Sequence, residues 1–211
     1  MKIIINSSDY KMKKDHFKQK AQAYDKNKNR VNNVSNIARV MTQAIEFKPD
    51  MHIMDFGSGT GLLLERIAPF VKRITAVDIS SSMNEQLRAK ATSLDCELEI
   101  IEQDLTQTEF ERTFDGIISS MTLHHVRDIE SLFNKLYSLL NSKGVVALAD
   151  LDKEDGSFHT EDTGVFHFGF DREALCDTAR KAGFKNIHIE SASIVHKPQG
   201  DYPVFLFTAE K

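Results

Sequence analysis

Residues 51–64 read Met51-His52-Ile53-Met54-Asp55-Phe56-Gly57-Ser58-Gly59-Thr60-Gly61-Leu62-Leu63-Leu64. A short apolar run of strand length passes through three glycines into a leucine-rich stretch with helical character. Glycines at such a turn let the backbone bend sharply and approach a ligand closely, at the carboxyl edge where open α/β sheets bind ligands. Their spacing selects the ligand. A dinucleotide fingerprint, GxGxxG, sets its third glycine three residues after the second, inside the helix; here Gly57, Gly59 and Gly61 are spaced two and two, and Leu62 takes that place. Asp55, just ahead of the turn, is poorly suited to a pyrophosphate but suits the ammonium end of an amino-acid ligand, directly or through an oriented water. An NAD(P)-dependent oxidoreductase is therefore disfavoured.

Outward from this turn the pattern alternates. Strand-length apolar runs recur at 73–77, 97–102, 114–119 and 144–149, separated by helical stripes such as Met83, Leu87, Ala91, Leu94 and Ile129, Leu132, Phe133, Leu136, Leu140. Ser82 with Glu85 reads as a capping box for the first stripe and Asp128 as the N-cap of the second. Alternation of this kind predicts a doubly wound α/β domain, a mostly parallel sheet with helices on both faces. Upstream, Phe17, Ala21 and Tyr24 predict a helix over 15–26, and Val34, Ile37, Ala38, Met41 and Ile45 a second over 34–47. Downstream, a helix capped by Asp171 and ended by Gly183 precedes runs at 186–194 and 202–209. The short link 196–201 forces those two runs to pair antiparallel.

Composition narrows the class. The chain has 211 residues, 41% hydrophobic and 27% charged, with net charge −4 and only two cysteines, Cys96 and Cys176. One soluble domain of this size folds without disulfides or a structural metal, and the apolar start is too short for a leader or a membrane span, so a cytoplasmic location is expected. Nine basic against three acidic residues in the first 30 make a basic arm, but without aromatic interleaving it argues against nucleic-acid binding. Such an arm could favour an anionic substrate, but a solvated helix face is the better reading.

Three further groups reach the same edge as the glycine turn. Asp78 ends the second strand, where a carboxylate accepts ribose hydroxyls. Asp104, after the third strand, is placed for an exocyclic adenine amine. The fourth strand delivers Ser120, Met121, Thr122, Leu123, His124 and His125.

With these residues in view, the chain resembles the class I S-adenosylmethionine-dependent methyltransferases. The resemblance rests on DFGSGTG (55–61), AVDIS (76–80), EQDL (102–105), FDGIISSMTLHHVRD (114–128) and LLNSKGVVALAD (139–150). Tyr24-Asp25 and the Leu-His-His-Val stretch are most similar to small-molecule enzymes near the ubiquinone and menaquinone methyltransferases. The resemblance implies a seven-stranded sheet of order 3-2-1-4-5-7-6 with its last strand antiparallel. It divides a single domain into a helical preface (1–48), a cofactor-binding core (49–150), a lid loop (151–170) and a C-terminal helix with hairpin (171–211). S-adenosylmethionine is the implied cofactor, held by Tyr24, Asp55, Gly57, Ser58, Gly59, Gly61, Asp78, Ile79, Met83, Asp104, Leu105, Ser120 and Met121. A small-molecule methyl acceptor is the implied partner.

Residues 151–170 have no clear period but contain four phenylalanines. Irregular segments of that length in compact domains are usually functional or disordered. Its position after the fifth strand reads as a lid carrying Phe158, His159, Phe166, His167 and Phe170 over the site, so that Phe158, His159 and Phe166, with His124 from the fourth strand, are expected to bind the acceptor. Methyl transfer to a hydroxyl needs a base, which His124, His125, His159 or His167 could supply; His125 and His167 are favoured. No metal is expected, because the histidine and aspartate spacing matches no common ligand pattern. Each residue also has a structural reading: the glycines serve the turn, Asp78 and Asp104 cap helices, Met83 and Met121 pack, and the histidines bond backbone. A cofactor-binding regulatory or partner protein without turnover, and a methyltransferase acting on RNA or protein, remain the alternatives. The oligomeric state is left open.

Overall fold

The computed structural model describes residues 15–107, 109–161 and 163–211, together with the backbone of Lys2 and Ile3. Lys11, Lys13 and Lys14 of the basic arm lie outside the described residues. The sheet has eight strands: β1 (Lys2–Ile3), β2 (His52–Phe56), β3 (Arg73–Asp78), β4 (Glu97–Glu102), β5 (Phe114–Ser120), β6 (Leu140–Leu151), β7 (Lys185–Lys197) and β8 (Gly200–Glu210). Their order is β1-β4-β3-β2-β5-β6-β8-β7. Seven of them reproduce the expected order, with β8 antiparallel to both neighbours. The eighth is an addition at the edge, where Lys2 and Ile3 run parallel to Glu99 and Ile100. Two residues carry no periodicity, which is why the sequence gives no sign of this strand.

Helices α1 (Lys28–Ala44), α2 (Leu62–Ile67), α3 (Ser81–Lys90), α4 (Ile129–Leu139) and α5 (Arg172–Ala182) cover the sheet. Successive strand side chains point to opposite faces. Ile53 and Ile118 thus pack with Ile37 and Met41 of α1 and Leu64 of α2, whereas Met54 and Ile117 pack with Phe133 of α4 and Ala179 of α5. Ile37 and Met41 are fully buried, and truncating either to Ala is expected to cost about 2–5 kcal/mol. Asn27, Asp128 and Asp171 cap α1, α4 and α5 by accepting from the N–H three residues on.

Four local readings are corrected. The helix over 15–26 is a series of turns ending in one short 3-10 stretch, Ala21–Lys26. Of its stripe only Ala21 is buried, too little apolar contact to offset helix nucleation, and Asp15 spends its side chain on Ser80 and Ser82 instead. The second stripe begins its helix six residues early, at Lys28. The cap of α3 is Ser80, whose Oγ accepts from Met83 N, rather than Ser82. The hairpin link shrinks to Pro198-Gln199, because His196 pairs with Asp201 and Lys197 with Gly200.

Chain order reverses between β2 and β5. At such a switch point the connections leave in opposite directions and open a crevice at the strand carboxyl ends.

Candidate active site

The floor of the crevice is the glycine turn. Gly57 (φ 70°), Gly59 (φ 53°) and Gly61 (φ 86°) all occupy left-handed backbone, a region costly for other residues. A Cβ on Gly57 would lie 2.2 Å from Thr122, whereas one on Gly59 would meet nothing within 4 Å. Gly59 therefore borders the open crevice. Gly61 serves a different purpose from the one expected, since its Cβ would strike Leu87 and the residue begins α2. It lines neither cavity described below. Across the crevice Met121, at φ 57°, is a non-glycine residue in the same costly region, where backbone strain clusters at functional sites.

Two carboxylates flank the turn. Asp78 accepts from Gly59 N and Ser80 N, each at 2.8 Å; burial nevertheless raises its pKa. Asp55 is buried, and its Oδ2 has no partner among the described residues. Burial, and then the charge of Asp78, push its carboxyl up to about 8.

Two adjoining cavities open from this floor, sharing a wall of Gly57, Gly59, Ser120, Met121 and His125 under Phe17 and Tyr24. The first, about 670 Å³, is lined by Asp78, Ile79, Met83, Asp104 and Leu105. Ile79 stays 57% exposed there, an apolar surface available to a flat ring. Asp104 also anchors its own loop, accepting from Thr106 N and Oγ1. The second, about 630 Å³, is lined by Asp55, Ser58, His124, His125, Phe158 and His159 among others. Tyr24 touches both cavities; the Arg30 guanidinium lies 3.7 Å from its ring centroid.

Three imidazoles gather in the second cavity. The ring centroid of His124 is 4.3 Å from that of His125 and 5.0 Å from that of His159. His124 is buried and donates from Nδ1 to Oδ1 of the fully buried Asp150 at 2.6 Å. Burial pushes Asp150 up, but the charge and hydrogen bond of His124 and the N–H groups of Leu151 and His124 outweigh it and hold the carboxyl below its usual value. His125 is lowered to about 4 by burial and by His124. His159 falls equally low from burial and both neighbouring histidines, and its Nε2 is buried without a partner among the described residues.

His167 does not join them. Its Nε2 donates to Val126 O at 2.9 Å and its ring lies on Phe170, so its proton is committed to backbone outside both cavities. Phe166 lines the first cavity rather than the second, beneath Arg127. The segment 151–170 is tied down more than a free lid would be. Asp152 bridges to Phe170 and takes a two-point bond from Arg172, and Phe166 N donates to His124 O. It shares the roof with residues 15–27, which meet it where Lys20 pairs with Glu161 at 2.6 Å. Sequence reasoning overlooked Asp150, although an acid closing an apolar strand was a usable signal. Phe17, of the stripe at 15–26, and Lys20 and Arg30, of the basic arm, also line the second cavity, as does Lys197, which carried no local signal.

Comparison with known proteins agrees with this geometry. Residues 24–189 match a family model described as a methyltransferase domain. An uncharacterized methyltransferase of Schizosaccharomyces pombe is 31% identical over 171 residues, covering 73% of this chain and 58% of that protein. The malonyl-(acyl-carrier protein) O-methyltransferase of Acetivibrio thermocellus is 31% identical over 145 residues, covering 67% of this chain and 50% of its own. The chain thus spans about half the length of the curated relatives it matches. Among solved structures, DhpI in complex with SAH superposes with a TM-score of 0.70 at 21% identity, covering 93% of both chains. That likeness is one of fold. Because the family model spans most of the sequence, strand order and crevice included, the chain belongs to the methyltransferase-domain family.

Proposed function

We propose that this chain transfers a methyl group from S-adenosylmethionine to a small-molecule acceptor by in-line displacement, with His124 receiving the acceptor's proton. One observation carries the reading. Of the buried side-chain polar atoms without a partner among the described residues, Asn33 Oδ1, Asp55 Oδ2, Ser58 Oγ, Ser120 Oγ and His159 Nε2 all belong to residues lining the second cavity. Unpaired buried polar atoms are costly, and their convergence marks a surface shaped for a polar ligand.

The residues fit the cofactor. Asp55 would hold its amino end, Asp78 its ribose, and Ile79, Met83, Asp104 and Leu105 its base, with Ser120 and Met121 between the two cavities. When bound, it supplies a methyl group on a positively charged sulfur.

The chain's own task is to position and to move a proton. Asp150, ionised, fixes the His124 tautomer that carries its lone pair on Nε2. That nitrogen can then take a proton from a hydroxyl or an ammonium presented in the second cavity. The roof of Phe17, Tyr24 and Phe158 keeps water from the reacting atoms, and holding two groups in near-contact removes several kcal/mol of barrier. Relatives named for phosphoethanolamine and for a malonyl group on acyl-carrier protein support a small acceptor group. Among the described residues no helix is long and apolar enough to cross a membrane.

Calorimetric titration with S-adenosylhomocysteine and with NAD tests the cofactor: binding of the first and not the second is expected. Labelled-methyl transfer into metabolite, RNA and protein fractions tests the acceptor. Label confined to RNA or protein would overturn the small-molecule reading.

A further inference from the structure

The second cavity has a rim of a different character from its histidine floor. Lys20, Arg30 and Lys197 line it, drawn from the roof segment, the first turn of α1 and the end of β7. Lys20 is matched by Glu161. Arg30 and Lys197 have no carboxylate partner within ion-pair distance among the described residues. Arg30 donates to Tyr24 O and lies over the Tyr24 ring. Lys197 donates to Phe158 O and sits 3.6 Å from the Phe158 ring centroid. Carbonyls and ring faces fix the direction of a cation without neutralising it.

The cost of gathering these groups shows at Lys197. Burial, and then the charges of Arg30 and Lys20, push its ammonium below the usual value, while Glu154 opposes them. Glu154 makes no ion pair with Lys197: one oxygen accepts from Gly156 N and Phe158 N, and the other is buried with no hydrogen-bond partner among the described residues. Half-buried like charges are retained at a cost unless an opposite charge joins them. The rim is also close to the proposed base. Phe158 carries Lys197 over its ring and touches His159 at 4.8 Å between centroids, and His159 in turn packs on His124.

We propose that Lys197, Arg30 and Lys20 form an oxyanion-binding subsite, so that the methyl acceptor is a small acid whose carboxylate or phosphate is anchored on this rim while its proton-bearing group meets His124. This rests on the reading of the second cavity as the acceptor site. The cationic rim itself is independent of the cofactor assignment.

The test uses the 211-residue chain saturated with S-adenosylhomocysteine and titrated with inorganic phosphate or with malonate, ionic strength held constant with chloride. Melting temperature and calorimetry are the readouts. At least one anion is expected to bind. Lys197→Gln is expected to weaken that binding roughly tenfold, the factor for losing a charge-assisted hydrogen bond, with Lys197→Arg retaining most of it and homocysteine-ligand affinity unchanged in both. Preference for malonate or phosphate distinguishes a carboxylate from a phosphate acceptor. Absence of binding by either anion, or equal affinity in Lys197→Gln and wild type, overturns the subsite. If S-adenosylhomocysteine does not bind, the cofactor reading fails separately, and the same titrations on the unliganded chain still decide the subsite.

Discussion

Between Asp55 and Gly61 the chain takes its shape from its own local chemistry, with three left-handed glycines between a strand and a helix. Between Asp15 and Asn27 it takes its shape from partners far away in sequence: Ser80 and Ser82 for Asp15, His125 for Phe17, Glu161 for Lys20 and Lys90 for Asp25. The floor is rigid because its conformation is nearly obligatory. The roof is assembled from contacts each worth little, and such segments open at low free-energy cost. A crevice built this way keeps one ligand's geometry fixed while letting a second enter.

The sharpest way to break that contrast is to compare two glycines of the floor. Gly57→Val drives a side chain into Thr122 from a left-handed residue, and is expected to destabilise the fold by on the order of 2–5 kcal/mol. Gly59→Val faces open space and should cost only the backbone strain, about 1–3 kcal/mol, while reducing S-adenosylhomocysteine affinity by roughly a hundredfold or more. Denaturation and calorimetry on the pair separate the two effects. Unchanged affinity in Gly59→Val would mean that the turn does not face the cofactor.

The histidine floor comes next in size. His124→Asn and Asp150→Asn are expected to lower turnover by about 10²-fold or more with the acceptor found by labelling, and to leave S-adenosylhomocysteine affinity within about twofold. His167→Ala, whose ring bonds only backbone, should change turnover far less. Equal losses at His167 and His124 would return the base to the outer loop.

Asp55 couples the floor to pH. Its folded carboxyl titrates near 8 against an ordinary value of 3.8, so between those values the native state holds a proton that the unfolded state has lost. The associated stability is complete below pH 3.8 and is lost as pH rises through 8. Asp55→Asn, which mimics the protonated acid, should remove that decline and exceed wild type by on the order of a few kcal/mol above pH 8, with little difference near pH 4. The same change should weaken S-adenosylhomocysteine about tenfold. Wild-type affinity should climb between pH 6 and 8 as the carboxylate forms, and a flat profile would detach Asp55 from the ligand's amino group.

The difference between floor and roof also explains what could be read from the sequence. The alternation of strands and helices and the helix faces follow from periodicities of two and 3.6, the positions of Asp55, Gly57 and Gly59 from a turn whose chemistry is local and those of Asp78 and Met121 from the strand ends, whereas the strand order was implied by the family resemblance. Asp150 closes an apolar strand, a signal that was there to be used, whereas Lys197 enters the site through strand register and long-range packing, which leave no trace within a few residues of it. His167 misled because its neighbours resemble those of His159. Their surroundings in the fold distinguish them, His167 bonding Val126 O beside Phe170 and His159 meeting Thr163 Oγ1 and the ring of His124. The short strand Lys2–Ile3 was invisible for the same reason as the roof: pairing with β4, rather than its own pattern, makes it a strand.

The smallest expected effect lies where the roof meets the floor. Asp15 accepts from Ser80 Oγ at 2.9 Å and from Ser82 Oγ at 2.8 Å. Its pKa is raised by partial burial and lowered further by Ser82, Phe17 and Ser80, for a net fall below 3.8. Its contribution is therefore present above pH 3.8 and fades as pH drops through the folded value. Because the carboxylate is only partly buried, Asp15→Asn should cost no more than about 1 kcal/mol. That is too little to shift the global melting curve much, but enough to speed limited proteolysis within residues 15–27 several-fold at neutral pH, an effect that shrinks as pH falls below 3.8. S-adenosylhomocysteine, bound beneath this segment, should suppress cleavage in both proteins. A variant cleaved no faster than wild type would show that the roof is held without the Asp15 latch, and the contrast between an obligatory floor and a contact-built roof would then rest on the packing of Phe17 and Tyr24 and on the pairs Lys20–Glu161 and Asp25–Lys90.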